Sequence, residues 1–249
     1  MNKRRNLLYL VLLVLLLLWG LNSPDNSVDS QPLSVDLKPQ VVPKQPELSV
    51  LTPGAYESNK QAIKALMDMK TRPIQDIKEY GYGAIPILTE LYKEAESNRE
   101  KSKIADVFWR LGWKSPQIEE ALMGDLDSTD EGLKINVQWG IAKSTQSSEV
   151  INKLLYNLEY DSSALVRDKA ACALASDFIH ISPEQRIVIL RGLIKGLSND
   201  IQQVRNSSIL ALAIQTGQRK GFVATADADS RTESITVWHE WLDEYERNI

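Results

Sequence analysis

Two histidines and one cysteine are the side chains in this sequence that are best suited to nucleophilic or metal chemistry. His180 and His239 lie in different predicted elements, and neither is adjacent to Cys172. Neither histidine has a second histidine four residues away, the spacing that places two metal ligands on one helix face. A glycine-rich phosphate loop and a Gly-x-Ser-x-Gly motif are also missing from the sequence. The sequence therefore predicts no catalytic residue, no metal site and no cofactor, and it favours a protein that is not an enzyme.

Two aspartates near the C-terminus begin like a calcium-binding loop. Asp227 and Asp229 alternate with other residues, as the first ligands of such a loop do. Arg231 stands where the next oxygen ligand belongs, and no glycine follows it. We therefore interpret residues 219–234 as a solvated loop.

The elements that would position a binding site follow a repeating apolar pattern. Apolar residues at offsets zero, one and four recur in four places, at intervals of 35, 32 and 39 residues: Ile87, Leu88, Leu91; Leu122, Met123, Leu126; Leu154, Leu155, Leu158; and Leu193, Ile194, Leu197. A second apolar segment follows each triad, at residues 104–111, 133–141, 166–174 and 204–212. One helix pair cannot bury both its faces, so the period predicts an all-α chain of stacked helix pairs, an α-solenoid.

One of these segments also has the pattern of a strand. Leu133, Ile135, Val137, Trp139 and Ile141 alternate with other residues, which by itself indicates a β-strand. Because the equivalent segments are helical, we predict a helix here too.

Two of the repeats carry a family resemblance. The residues that carry it are Asp161, Val166, Arg167, Ala170, Ala171, Ala173 and Leu174, echoed by Asp200, Val204, Arg205, Ala211 and Leu212. They resemble the HEAT repeat, especially its short bacterial form, whereas the N-terminal half of residues 58–217 shares the periodicity alone. The resemblance implies a right-handed HEAT-like solenoid over residues 56–218. It also implies that Asp161, Arg167, Asp200 and Arg205 form a structural polar ladder between repeats rather than a binding site.

A candidate binding surface follows from aligning the second helices of the pairs. When these helices are aligned by their last apolar residues, one equivalent position is occupied by Trp109, Trp139, Cys172 and Leu210. This position lies about 145° around the helix from the centre of the apolar face, so these side chains should point outward. Second helices line the concave surface of HEAT-like proteins, so the resemblance implies a shallow apolar stripe of Trp109, Ile135, Trp139 and Leu210. Aromatic anchors dominate interface energies, so this stripe is a candidate protein-binding groove. The alternative is that strong curvature or a shifted register buries these residues between repeats.

The net charge limits which partners are expected, and the cysteine content limits which covalent cross-links are possible. The formal net charge is −4, and it is −7 without the three basic residues that precede the N-terminal apolar run. Because nucleic-acid binding depends on lysine and arginine, a mildly acidic domain is a poor match for nucleic acid. A single cysteine excludes an intramolecular disulfide.

The N-terminus has the pattern of an export signal or a membrane anchor. Residues 1–5 are basic, and residues 7–21 form an apolar run within a segment at 6–23. As a helix the run spans roughly 22 Å against a hydrocarbon core of ~30 Å, which favours a cleaved signal peptide. A small-x-small cleavage pattern is missing, and we favour an uncleaved anchor. The basic flank then places the N-terminus in the cytoplasm and the helical domain outside it, in the periplasm or the extracellular space.

The remaining segments connect and close the helical domain. Residues 24–55 are rich in proline and predict a disordered or extended linker. Residues 58–69 and 73–80 predict a degenerate first helix pair. Residues 235–249 predict a last helix, which we expect to cap the open end of the core through Trp238, Trp241, Leu242 and Tyr245.

These observations favour a non-enzymatic, membrane-anchored scaffold or adaptor that binds another protein through its concave face. One alternative is an enzyme or enzyme accessory resembling the HEAT-like bilin lyases, which would need a pocket with convergent polar groups. A second is a nucleic-acid processing protein resembling the helical-repeat DNA glycosylases, which would need a basic stripe along the inner helices. The sequence identifies neither the partner nor the oligomeric state.

Overall fold

Eleven α-helices make up most of the part of the chain that the computed structural model describes, residues 53–68, 74–175 and 181–249. They are α1 (Pro53–Asp68), α2 (Ile74–Glu79), α3 (Ala84–Glu94), α4 (Asn98–Leu111), α5 (Pro116–Leu122), α6 (Glu131–Ser144), α7 (Ser148–Tyr160), α8 (Ala164–Leu174), α9 (Pro183–Gly196), α10 (Gln202–Thr216) and α11 (Ala228–Arg247). Short 3₁₀ segments, Gly81–Gly83 and Met123–Asp127, precede α3 and follow α5. These residues contain no β-strand, so the prediction of an all-α chain is confirmed.

Short polar side chains fix where most of these helices begin. In seven helices the residue before the first turn accepts a hydrogen bond from a backbone N–H of that turn: Ser97, Ser115, Asp130, Ser147, Ser163, Ser182 and Asp227. Such a cap satisfies a donor that has no partner within the helix and contributes about 1 kcal/mol. Local sequence and helix boundaries therefore agree along most of the chain.

Helix α6 covers the segment that alternates like a strand. Leu133, Val137 and Ile141 are buried at helical spacing, while Ile135 and Trp139 are half-buried on the adjoining face. The alternation arises because α6 makes apolar contacts on two sides.

The helices pack in succession along the chain. Each pair, α3 with α4, α5 with α6, α7 with α8 and α9 with α10, is in contact, and we call the two members the first and second helix of a pair. The second helices α2, α4, α6, α8 and α10 contact one another in that order. Among the first helices, α1 contacts α3, which contacts α5, and α7 contacts α9, which contacts α11. Their apolar faces form one continuous core that extends from Ile63 to Leu242.

The last helix is longer than the sequence predicted. Helix α11 begins at Ala228, so residues 228–234, which we interpreted as loop, are helical. The carboxylate of Asp227 accepts hydrogen bonds from the backbone N–H (2.9 Å) and the hydroxyl (2.7 Å) of Ser230. Asp227 is therefore a helix cap, and its resemblance to a first calcium ligand was misleading. Further along α11, Trp238 and Leu242 are buried against the core.

The predicted N-terminal segments, residues 1–5, 6–23 and 24–52, lie outside the described residues. Residues 53–55, predicted as the end of the linker, belong to α1, which begins at Pro53 because proline is well accommodated at the first helical position. Among the described helices, none combines the length and the apolar character that crossing a bilayer requires.

Candidate binding surface

Two tryptophan rings from neighbouring second helices form the centre of the candidate surface. Trp109 lies in the last turn of α4 and Trp139 in the second half of α6. Their ring centroids are 5.6 Å apart, and the ring planes are inclined by 33°. The two residues that the alignment placed at equivalent positions are thus in contact.

A close approach of α4 and α6 explains this contact. A Cβ atom added to Gly140 would lie 2.8 Å from the backbone carbonyl oxygen of Ala105, closer than real Cβ atoms come to such an atom. Glycine is therefore needed where these helices meet. Ala105 precedes Trp109 by one helical turn and Gly140 follows Trp139 directly, so the same contact line holds the two rings together.

All four residues of the predicted stripe are half-buried. Trp139 packs against the core, and Trp109, Ile135 and Leu210 have intermediate exposure as well. Ile135 lies one turn before Trp139 on α6, whereas Leu210 lies on α10, which α8 separates from α6. The structure therefore brings Trp109 and Trp139 together, places Ile135 one turn away on α6, and leaves Leu210 apart from them.

Two basic side chains flank the tryptophan pair. The Lys143 Nζ lies 5.1 Å from the centroid of the Trp109 ring, and the Arg110 Cζ lies 5.2 Å from the same centroid. Such cation–π contacts stabilise by about 0.5–1 kcal/mol at exposed sites. Arg110 also donates hydrogen bonds to Asp106 from Nε (2.7 Å) and Nη2 (3.0 Å). Partial burial lowers the pKa of the Lys143 ammonium below its usual value, because it removes water from the charged form.

A second aromatic pair adjoins the C-terminal end of α4. Tyr82 and Trp113 are stacked, with centroids 5.2 Å apart and ring planes inclined by 22°. The segment that carries Trp113 is held to the end of α6 by a hydrogen bond from the Ser115 N–H to the Ser144 carbonyl (3.1 Å). Burial lowers the pKa of the neighbouring Lys114. We call the rings and their flanking cations the tryptophan cluster: Tyr82, Trp109, Arg110, Trp113, Trp139 and Lys143.

Ion pairs between lysine and aspartate join successive helix pairs. The Lys134 Nζ donates to the Asp161 carboxylate at 2.7 Å, and the Lys101 Nζ donates to Asp125 at 2.9 Å. Each lysine is the fourth residue of a second helix, and each aspartate lies at the turn within the next pair. Asp161 is therefore a structural residue that links two pairs.

Arg205 differs from the expected form of the ladder. It is the fourth residue of α10, is buried, and donates to the carbonyls of Asn199 (2.7 Å) and Asp200 (3.0 Å) through Nη1. Its Nε and Nη2 donate to the Ala224 carbonyl at 3.0 and 2.9 Å. The Asp200 residue is exposed and meets Arg205 through its backbone. Loop carbonyls take the place of an aspartate here because a loop, rather than a further helix pair, follows α10. Arg167 occupies the same position in α8 and is half-buried.

Sequence analysis missed one buried carboxylate on the second helices. Asp168 on α8 is 2% exposed and accepts hydrogen bonds from the Gln203 Nε2 (3.0 Å) and the Ser207 hydroxyl, both on α10. The adjacent Lys169 contributes an ammonium at 2.7 Å. Burial and, secondarily, the Asp168 charge raise the pKa of the Cys172 thiol, which disfavours its reactive thiolate form. Asp168 thus joins α8 to α10, and Cys172 is not activated.

Replacing Asp168 by alanine should destabilise the domain by about 2 kcal/mol, because this buried carboxylate accepts charge-assisted hydrogen bonds from Gln203 and Ser207 that alanine cannot replace. Urea denaturation followed by circular dichroism measures this loss. Asp127→Ala is the matched control, since Asp127 pairs with Lys153 on the surface and should contribute less than about 1 kcal/mol. Equal effects of the two substitutions would show that Asp168 does not join α8 to α10.

The described residues offer little for metal binding or acid–base catalysis. They contain no group of three or more His, Cys, Asp or Glu side chains placed to hold a metal ion. His180 lies outside them. His239 borders a groove of about 440 Å³ between α7 and α9, whose walls include Leu155, Leu158 and Val188. The charged groups of this groove are already engaged, Arg191 with Glu246 and Lys195 with Glu159, so they do not converge on a common point.

No protein-family model matches the chain, and no curated protein matches it. Among solved structures the chain is similar to an engineered protein of known crystal structure, with 18% sequence identity and a TM-score of 0.49. The match covers 80% of this chain and 95% of that chain.

Proposed function

We propose that this protein is a HEAT-like α-solenoid that acts as a non-enzymatic, membrane-tethered adaptor and binds another protein through its second-helix surface. The observation that carries the proposal is the contact between Trp109 and Trp139. Two large aromatic side chains lie side by side on neighbouring second helices and keep part of their surface exposed. Tryptophan is one of the residue types enriched among the hot spots of protein interfaces.

The solenoid part of the proposal is supported by how the helices succeed one another. Each second helix packs on the next, and two helix pairs are linked to their successors by ion pairs at the same helical position. Within the described residues these ion pairs are Lys101 with Asp125 and Lys134 with Asp161. Contacts confined to neighbouring units are typical of repeat architectures.

The tether is supported by the sequence of residues 1–23, which follows the basic-then-apolar pattern of a signal anchor. With the uncleaved anchor, the helical domain lies outside the cytoplasm, in the periplasm or the extracellular space. The proline-rich sequence that follows the anchor would then connect it to the helical domain.

The combined substitution of Trp109 and Trp139 by alanine should abolish capture of the partner in a crosslinking pull-down from intact membranes. A lost hot spot costs about 2 kcal/mol or more in binding, which is more than tenfold in affinity. Because both residues are half-buried, the free energy of unfolding should fall by only about 1–2 kcal/mol per site, and the variant stays folded.

The matched control is the double substitution Tyr156→Ala, Tyr160→Ala. These two rings also form a pair, with centroids 5.1 Å apart, but they are exposed on the first helix α7. We expect this variant to retain the partner. If both double variants capture the same partner as the wild type, the second-helix surface is not the binding site.

A further inference from the structure

We propose that the tryptophan cluster, together with Ile135, takes an extended peptide segment that lies along α6, with apolar residues at one end and an acidic residue at the other. This inference rests on the proposed function and names the chemistry of the segment that the partner presents. It follows from the order of residues along the exposed face of α6 and from the charge around Trp109.

Three side chains follow one another along that face at intervals of one helical turn: Ile135, Trp139 and Lys143. Residues four apart lie on one side of a helix and rise by about 6 Å along its axis. In an extended peptide, alternate side chains point the same way and recur every 6.6 Å or so. A peptide that follows this row, which is inclined by about 26° to the α6 axis, can therefore place every second side chain against one of these three residues.

The nature of each position defines the peptide side chain that suits it. Ile135 and Trp139 are half-buried and apolar, so they fit aliphatic or aromatic side chains. Lys143 is cationic, so it fits a carboxylate. The segment is thus expected to read apolar, any residue, apolar, any residue, acidic, with its acidic end at the C-terminus of α6.

Charge around the ring of Trp109 strengthens the preference for an acidic end. Lys143 and Arg110 lie 5.1 and 5.2 Å from the centroid of this ring, so their charged groups are no more than about 10 Å apart. Asp106 occupies the Nε and Nη2 donors of Arg110, and the guanidinium carries five donors in all. Asp106 thus balances the charge of Arg110, and Lys143 supplies the remaining positive charge near the ring. This basic end stands on a chain whose formal net charge is −4, so it favours an anionic partner locally.

A random dodecapeptide library displayed on phage tests the proposal, with the full-length chain held in nanodiscs as bait. We expect enriched peptides in which two apolar residues and one acidic residue occupy alternate positions. A selected peptide should bind the Arg110→Glu, Lys143→Glu variant at least about tenfold more weakly, because the change removes attraction and adds repulsion. Lys64→Glu, Lys93→Glu is the control of equal charge on the first helices, where both lysines are exposed, and it should bind as the wild type does.

The remaining outcomes of these experiments distinguish a failure of this inference from a failure of the proposed function. Peptides that require Trp109 and Trp139 but are neutral or basic would overturn the acidic segment and leave the proposed protein-binding surface intact. Enrichment of no peptide that depends on the tryptophans would overturn the extended segment, whereas the pull-down with the Trp109 and Trp139 double variant decides the proposed function. Tighter binding of a single-stranded oligonucleotide than of any selected peptide would also overturn the inference, since the cations would then serve a nucleic acid. An Ile135→Ser variant tests the orientation of the peptide along α6. With this variant as bait, only the residue at the apolar end of the enriched peptides should lose its preference for apolar side chains.

Discussion

Replacing Trp238 by alanine is expected to destabilise the folded domain by about 3–5 kcal/mol. Trp238 is fully buried and is the largest such side chain in the described residues, and it meets Trp241 edge to face with centroids 5.5 Å apart. Its removal leaves a cavity beneath α11 that neighbouring helices can fill only in part. For a domain of this size the melting temperature should fall by roughly 2–4 °C per kcal/mol, which calorimetry measures readily.

Two further variants show whether burial of this ring is the cause. Val237→Ala changes the next residue of α11, which is 45% exposed, and should cost less than about 1 kcal/mol. Trp238→Phe should also cost less than alanine, because it keeps a ring in place and the Trp238 Nε1 makes no hydrogen bond within the described residues. A melting temperature for Trp238→Ala close to that of Val237→Ala would mean that α11 does not close the end of the core.

The repeated apolar triads predicted the helices well because helical spacing determines which face is buried. Ile87, Leu88 and Leu91 are all buried, as are the first and last members of the other triads. Met123 and Leu155 are the exceptions, and both still pack against the core. The start of α11 was missed for a local reason. A capping aspartate and a calcium ligand have the same residue type, and the hydrogen bonds of Asp227 to Ser230 distinguish them.

Two of the six residues of the tryptophan cluster, Trp109 and Trp139, could be predicted from the sequence. Repeat alignment placed Trp109 and Trp139 at equivalent positions, since equivalent residues of successive second helices become neighbours when those helices pack. Alignment of apolar residues gave no weight to charge, so Lys143 and Arg110 went unnoticed. The sequence does contain a signal for Lys143, because it lies four residues after Trp139 on the same helix face.

The lysines of the ladder were missed because the family pattern was sought as arginine. Lys101 and Lys134 stand at the fourth position of their helices, as Arg167 and Arg205 do, and a search for any basic residue would have detected them. Asp168 is a different case. Its burial depends on which face of α10 turns toward α8, which is a tertiary property that periodicity does not determine.

Replacing Gly140 by alanine is expected to have the second large effect, a net destabilisation of about 2 kcal/mol. The new Cβ would meet the Ala105 carbonyl oxygen at 2.8 Å and a Leu122 methyl carbon at 3.3 Å. Backbone cannot rotate away as a side chain can, so α4 and α6 must separate, at the upper end of the usual 1–3 kcal/mol for overpacking. The gain in helix propensity on replacing glycine offsets about 1 kcal/mol at most. Urea denaturation gives the net value.

The same substitution should also weaken binding at the tryptophan cluster, because the contact line through Gly140 sets the separation of Trp109 and Trp139. We expect affinity for a selected peptide to fall by about tenfold at a temperature where the variant remains folded. Gly54→Ala is the control, since its added Cβ meets no atom within 4 Å, and it should change neither stability by more than about 1 kcal/mol nor binding. If Gly140→Ala proves as stable as this control and binds the peptide equally well, the close approach of α4 and α6 does not position the tryptophans. If stability falls while binding persists, the contact between the two rings is not needed for recognition. The peptide then contacts only Trp139 and Lys143 on α6.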